Sequence, residues 1–413
     1  MPGRKVLVLG SYRQTVTVVR SLARAGYAVV VGRHGRRAPA ELSRFTSEVW
    51  IHPDPENRRR FADAVVDLVA SRPGIGYVFP VSEIEIQPLT TRGDLGSRAI
   101  VVVPGRQALE TCLDKRATYA IARELGVPLP ETRIVTGRAE LERAVESIGF
   151  PCVIKRPDSI VVGGKKAVIC GDRSDLETRR ATIERERGPL VLQAWVSGHR
   201  HNCQFAAREG EILTFFQQKV LRTDEVDGTG LGVDGVSVAP SPELRSYCDA
   251  LVARLRYTGV GCIQFLVDES TGATALLEWN PRLDATCDLP FRCGIDFPLL
   301  ALRLAESGCA AAASSAVAVP DGYPAGRRIY WLAGDLNGLL RGLRARDFGV
   351  SELLPRLLTM GACALRREYH LGWSWRDPMP TVFSFWRAAR RELGRLAGRR
   401  SAPRGERVTG VAR

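Results

Sequence analysis

Nowhere in the 413 residues is there a run of about 18 uncharged apolar side chains, the length a helix needs to cross a bilayer. The opening stretch MPGRKVLVLGSY passes almost directly into an apolar strand and lacks a hydrophobic region followed by a small-residue cleavage site. No secretory leader is expected, and the chain reads as cytoplasmic. Cysteine occurs at 112, 152, 170, 203, 248, 262, 287, 293, 309 and 363, never as Cys-x-x-Cys, so neither a zinc site nor a dithiol redox motif is indicated. Several of these cysteines sit inside apolar runs such as CVIK and GCIQFLV, where they read as buried reduced thiols. G-x-G-x-x-G is also missing: the first strand-to-helix turn is GSYRQT, which does not indicate a dinucleotide site. No internal repeat is found.

The length exceeds what one core usually sustains, so two or three domains are expected. Net charge is +14, and half of it lies in residues 387–413, which carry nine Arg and two Glu. This Gly- and Pro-containing basic end reads as a solvated tail, with attraction to nucleic acid or an anionic membrane as the sharper alternative; for the chain as a whole no nucleic-acid partner is expected. Just before it, Trp373, Trp375, Phe383, Phe385 and Trp386 are interleaved with arginines, and residues 380–397 suit an amphipathic helix. Packing of those aromatics onto the body is the commoner outcome; peripheral contact with a membrane surface is the other.

KVLVLG, QTVTVVRSLARAG and YAVVVG form a strand–helix–strand unit ended by Gly26, which implies a parallel sheet with a right-handed crossover. Residues 1–110 are therefore expected to be an α/β domain. LDKRATYAIARELG predicts a helix closed by Gly126. From about 130 to 300 the pattern becomes rich in strands, suggesting an α+β region on antiparallel sheet. Residues 308–322 read as a helix end plus linker, and IYWLAGDLNGLLRGL and VSELLPRLLTMGACAL as helices of a C-terminal section, 308–413.

Three groups carry chemistry. The first, FPCVIKRPDSIVVGGKKAVIC, is a strand bearing Lys155, a turn at Gly163 and Gly164 with Lys165, and a returning strand. It is a basic-tipped hairpin or a phosphate cradle in which glycine admits backbone N–H groups close to the anion. In the second, LVLQAWVSGHRHN, a buried strand emerges at Gln193, Ala194, Trp195 and Val196, whose backbone suits a planar purine in an apolar slot. His199 and His201 share a strand face, as metal ligands or as ordinary polar strand residues. The third is GCIQFLVD with LLEWNPRLDATCDLP. Residues at every second position of a strand share a face, so Glu278 and Asn280 align, and Gln264 joins them if 260–267 and 274–280 form a hairpin. Three side-chain oxygens beside Arg282 are either the solvated face of a half-buried strand or a hard ligand set for a divalent cation carrying phosphates. TDEVDGTGLGVDG, 223–235, reads as a loop, mobile or plain.

The order of these segments, with E-x-N-P-R at 278–282 and GIDFP at 294–298, resembles the ATP-grasp superfamily of carboxylate–amine ligases over roughly residues 1–305. The Gln-Glu-Asn set and Ser-Ile-Val-Val-Gly-Gly look most similar to the carbamoyl phosphate synthetase large-subunit branch. The resemblance implies an ATP-grasp domain over 111–307, with a lid subdomain at about 130–195, after the N-terminal α/β domain. It implies ATP and Mg²⁺ (or Mn²⁺), with Lys115 and Lys155 on the phosphates, the 159–166 hairpin with Gly163, Gly164 and Lys165 as lid, and Gln193 to Val196 as adenine hinge. Gln264, Glu278 and Asn280 would be the metal ligands, with Arg282 on the transferred phosphoryl group. Where such enzymes usually place an acid after the hinge glycine, this chain has His199, Arg200 and His201. The implied reaction is amide formation through an acyl phosphate, from a small carboxylate and an amine, with Glu83 and Arg292 as candidate lining of the acceptor pocket. The rival readings are a nucleotide-binding scaffold without ligase activity and a kinase-like member. A homodimer is the commonest symmetric assembly for such a chain.

Overall fold

The computed structural model describes residues 4–90, 92–158, 167–184, 188–225, 227–307, 322–345, 349–365 and 369–400. Three sheets organise them. The first holds strands Lys5–Leu9, Ala28–Arg33, Thr46–Ile51, Ile75–Pro80 and Ile100–Val101, all parallel, in the spatial order third, second, first, fourth, fifth. Its central strand is apolar from Val6 to Leu9 because both faces are covered. Val6 and Val8 pack with Val16, Val19 and Leu22 of helix Arg13–Arg24, while Leu7 and Leu9 pack with Phe61 and Val65 of helix Arg58–Ser71. This is the expected N-terminal α/β architecture.

A four-stranded antiparallel sheet, in the order Thr132–Val135, Leu190–Ala194, Cys152–Lys155, Ala167–Cys170, carries Lys155 and the hinge residue Gln193 at strand ends. The largest sheet has seven strands: Thr274–Asn280, Gly259–Val267, His199–Arg208, Glu211–Thr223, Gly232–Val238, Arg328–Tyr330 and Tyr369–His370. All neighbours in it are antiparallel except the last pair.

That seventh-strand edge revises the helical reading of the C-terminal section. Ile329 and Tyr330, expected at the start of a helix, belong to a three-residue strand paired with Asp234 to Val236, and the helix begins at Leu332. Helices Val350–Leu365 and Met379–Arg400 follow. Residues 232–235, read from sequence as part of a loop, are strand, so the connection shrinks to 224–231. Among the described residues no helix is long and apolar enough to cross a membrane. The aromatics near the C-terminus divide: Phe385 is half-buried, whereas Trp375 and Trp386 are exposed.

An ion pair ties the C-terminal segment to the first domain. Arg20 Nε lies 2.9 Å from Asp377 Oδ2, and its other nitrogens donate to the carbonyls of Gly372 (2.7 Å) and Asp377 (2.6 Å). Asp377 also accepts from Ser43 Oγ at 2.7 Å and Arg44 N at 3.0 Å. The two side chains are 3% and 1% exposed, so removing one leaves the other buried without its counter-charge. Arg20→Met should therefore lower the free energy of unfolding, measured in urea, by about 3–5 kcal/mol. A loss below about 1 kcal/mol would mean that the segment is held by packing alone.

Candidate functional site

Gln264 stands opposite Glu278, and Cys262 opposite Asn280, in the hairpin of Gly259–Val267 with Thr274–Asn280. Directly opposed residues of an antiparallel pair share a face, so the expected convergence of Gln264, Glu278 and Asn280 is present. Trp279, between Glu278 and Asn280, points to the other side. It is 2% exposed and packs its ring 6.2 Å from Phe205 and 5.5 Å from Tyr257. Burial of this indole fixes which way its neighbours face.

Asn280 Nδ2 donates to Glu278 Oε1 at 2.9 Å, and its Oδ1 accepts from Arg282 Nη2 at 3.2 Å. Arg282 Nε in turn lies 2.8 Å from Glu83 Oε1, at the start of helix Glu83–Thr90 on the first domain. Glu83 therefore reaches the site as an ion-pair partner of Arg282. Next to it, Glu85 has its pKa raised to about 7 by burial, although Ser82 Oγ donates to it at 2.6 Å.

Lys115 begins helix Lys115–Glu124, whose N-cap Asp114 accepts from Arg116 N at 2.8 Å. Its ammonium donates to the carbonyl of Asp158 at 3.2 Å. Lys155 ends its strand, and burial first, then the charge of Lys115, lowers its pKa from 10.5 to about 8, with Glu278 pulling the other way. Two mutually repelling lysines and a carboxylate thus face one space, a charge arrangement that a polyanion with a divalent cation would relieve. Gly163, Gly164 and Lys165 lie outside the described residues.

The hinge narrows the expectation made for it. Ala194 N donates to Glu131 O and Trp195 N to Pro151 O, at 2.9 and 3.0 Å, so those N–H groups are spent. Gln193 Nε2 donates to Thr132 Oγ1 at 2.9 Å. Val196 is the first hinge residue whose N–H has no partner among the described residues. Gly198 follows with φ +129°, and a Cβ there would come within 2.4 Å of Val267 O. That close approach brings in acids which reading along the strand missed: Asp268 accepts from Ser197 Oγ at 3.1 Å, and Glu269 pairs with Lys219. His201 is buried, hydrogen-bonded to Gln217 at 2.8 Å, with its pKa pushed down to about 4 by burial and Lys219. No group of three His, Cys, Asp or Glu side chains able to hold a metal occurs among the described residues.

Beside Arg282 a cavity of about 620 Å³ opens between the first domain and the C-terminal segment. Arg13, Glu83 and Arg282 line its charged end, and Trp331, Trp373 and Phe385 its apolar wall. Arg292 does not reach it. Its Nε is 2.8 Å from Asp288 Oδ2, and its guanidinium donates to the carbonyl of Trp373 in a separate concavity.

A parallel α/β domain, a small antiparallel sheet carrying a lysine and hinge, and a large sheet ending in a Gln-Glu-Asn cluster define the ATP-grasp fold. Residues 114–308 match the family model described as carbamoyl-phosphate synthase L chain, ATP binding domain. The chain is 27% identical to the carbamoyl phosphate synthase large chain of Methanosarcina barkeri, over 56% of this chain and 21% of that protein. It is 28% identical to N5-carboxyaminoimidazole ribonucleotide synthase of Pseudomonas aeruginosa, over 56% of this chain and 59% of that one. In fold it is similar to the ADP complex of N5-carboxyaminoimidazole synthetase from Staphylococcus aureus (TM-score 0.63, 15% identity, 83% of this chain and 86% of that). The chain thus spans roughly a fifth to a third of the length of the carbamoyl phosphate synthase large chains it matches.

Lys155 gives this site a proton signature. A bound polyphosphate restores the lysine's preference for its charged form, so binding near pH 8 takes up a proton, approaching roughly half a proton per site. Titrating MgADP calorimetrically in buffers of different ionisation enthalpy should show this uptake in the wild type and lose it in Lys155→Met. Equal proton counts would place the lysine away from the anion.

Proposed function

We propose that the chain is an ATP-dependent carboxylate–amine ligase. A substrate carboxylate takes the terminal phosphoryl group of ATP, releasing ADP. An amine then attacks the acyl phosphate carbon, phosphate leaves, and an amide is formed. The observation that supports this most is the single strand end on which Gln264, Glu278, Asn280 and Arg282 come together, with Lys155 electrostatically coupled both to Glu278 and to Lys115.

One carboxylate and two amide oxygens form a hard donor set that suits Mg²⁺ or Mn²⁺ while leaving positions for water and phosphate. Gln264, Glu278 and Asn280 would hold the ion, which supplies positive charge where negative charge builds on the phosphates. Lys115 and Lys155 position the polyphosphate, and the guanidinium of Arg282, oriented by Glu83 and Asn280, neutralises the phosphoryl oxygens. The purine rests on the hinge with Val196 N–H as donor, and Asp268 and Glu269 stand nearby for the ribose hydroxyls. Catalysis of this kind needs placement and charge, with no covalent attachment to the protein. Lys115, Lys155 and Arg282 differ in how they achieve it: the lysines act as point charges, while the guanidinium is oriented by Glu83 and Asn280. Small-molecule substrates, a cytoplasmic setting and a homodimer complete the reading; the related Hydrogenobacter thermophilus biotin carboxylase domain was crystallised as a dimer with MgADP.

ADP release from ATP, screened over small carboxylates and amines, tests the reading. It should require both partners and fall by at least about 100-fold in Glu278→Ala. Release with the carboxylate alone would indicate a kinase-like enzyme, and identical behaviour of wild type and variant across a broad panel would contradict ligase activity.

A further inference from the structure

We infer that the carboxylate substrate is an amphipathic acid with a bulky apolar or aromatic body, its carboxylate held by Arg13 and Ser11 in the cavity beside Arg282. The role of that acid rests on the ligase reading; its binding does not.

Arg13 is the starting point. It opens helix Arg13–Arg24, its Nη1 donates to the carbonyl of Gly232 at 2.9 Å, and its guanidinium carbon lies 4.5 Å above the ring of Trp331. Its Nε is buried without a hydrogen-bond partner, as is Ser11 Oγ one turn of chain away, and both residues line the cavity. Arg282, Arg222, Arg328 and Arg341 are ion-paired, with Glu83, Asp335, Asp234 and Asp224, whereas Arg200, whose charge acts on Arg13, only donates to the carbonyl of Gly230. Arg13 has no ion-pair partner among the described residues.

The nearest carboxylate does not fill that gap. Asp284 is buried and already accepts from Thr286 N at 2.7 Å, from Thr286 Oγ1, and from Asn202 Nδ2 at 3.4 Å. Burial without a counter-ion shows in Arg13 itself, whose pKa is lowered to about 10, with Asp284 offsetting only part of the effect. A guanidinium buried with an unsatisfied N–H is costly, and a carboxylate is the ligand that satisfies it bidentately. Arg282 lines the same cavity but is already paired with Glu83, which leaves Arg13 as the guanidinium open to a ligand carboxylate.

The opposite wall sets the rest of the ligand. Trp331, Leu332, Leu371, Trp373 and Phe385 face the space, supplied by the strand edges and the final helix of the C-terminal segment. A volume of about 620 Å³ is far more than acetate or bicarbonate fills and is in the usual range for a small organic ligand. Arg387 and His370 also line the space, but the rings of Trp331, Trp373 and Phe385 give the wall enough apolar surface to favour an acid with an apolar body over a small, fully polar one.

The test is calorimetric titration without nucleotide, using 3-phenylpropanoate and indole-3-propanoate as probes. Acetate and succinate lack the apolar body, and 3-phenylpropan-1-ol lacks the charge. Both aromatic acids should bind at least about tenfold more tightly than any of these three. Arg13→Met should erase the preference for 3-phenylpropanoate over the alcohol while the alcohol still binds, which shows the cavity intact, and Arg13→Lys should restore part of it. Ala388→Trp, projecting into the cavity, should block acid and alcohol alike. Failure of both aromatic acids to bind, succinate or acetate binding as tightly as they do, or an unchanged acid-to-alcohol ratio in Arg13→Met overturns the inference. MgADP binding by the same preparations separates the two readings. MgADP binding without acid binding overturns this inference alone. Acid binding as expected, with ADP release identical in wild type and Glu278→Ala across the broad panel of carboxylates and amines, supports it and overturns the ligase reading.

Discussion

Alternation across one β-strand divides this molecule's core from its chemistry. In Thr274–Asn280 the large indole of Trp279 is driven inward against Phe205 and Tyr257, and that burial turns Glu278 and Asn280 to the other face. The neighbouring strand answers in register, with Gln264 opposite Glu278. A one-residue slip would exchange the faces, putting a carboxylate in the core and an indole in the cleft. The cost of that exchange is what makes the oxygen cluster a fixed feature of the fold.

Around this strand end, charge is balanced unevenly, and the imbalance has a pattern. Arg20 and Asp377 neutralise each other in the interior and hold the C-terminal segment on the first domain. Arg282 is steered by Glu83 from that same domain. Lys155, by contrast, is buried against a like charge, and Arg13 against a ring and a single carbonyl.

Much of the frame could be read from residue order because the deciding forces are local. Val6 to Leu9 are apolar in sequence because both faces are covered, and Gly26 and Gly126 stop helices where positive φ is required. The Gln-Glu-Asn cluster was also legible, since a period of two and a short hairpin suffice to place it. The C-terminal strands were not: Arg328–Tyr330 and Tyr369–His370 are too short to show any period, and the first is a strand through the open edge of Gly232–Val238, the second through the edge of the first. The partners of Arg20 and Arg282 lie far along the chain, as do the walls of the cavity, so no local pattern announces them. The hinge shows a third kind of limit. Its residue types were recognisable, but which N–H remains open depends on Glu131 and Pro151, contributed by other segments.

Whether the oxygen cluster holds a nucleotide-bound cation can be measured without turnover. Electron paramagnetic resonance of Mn²⁺ titrated with ADP and protein reports that complex directly. The wild type should sequester Mn²⁺–ADP, and Gln264→Ala and Glu278→Ala should each weaken it by about tenfold or more. Wild-type affinity in both variants would contradict the placement of the cation at Gln264, Glu278 and Asn280.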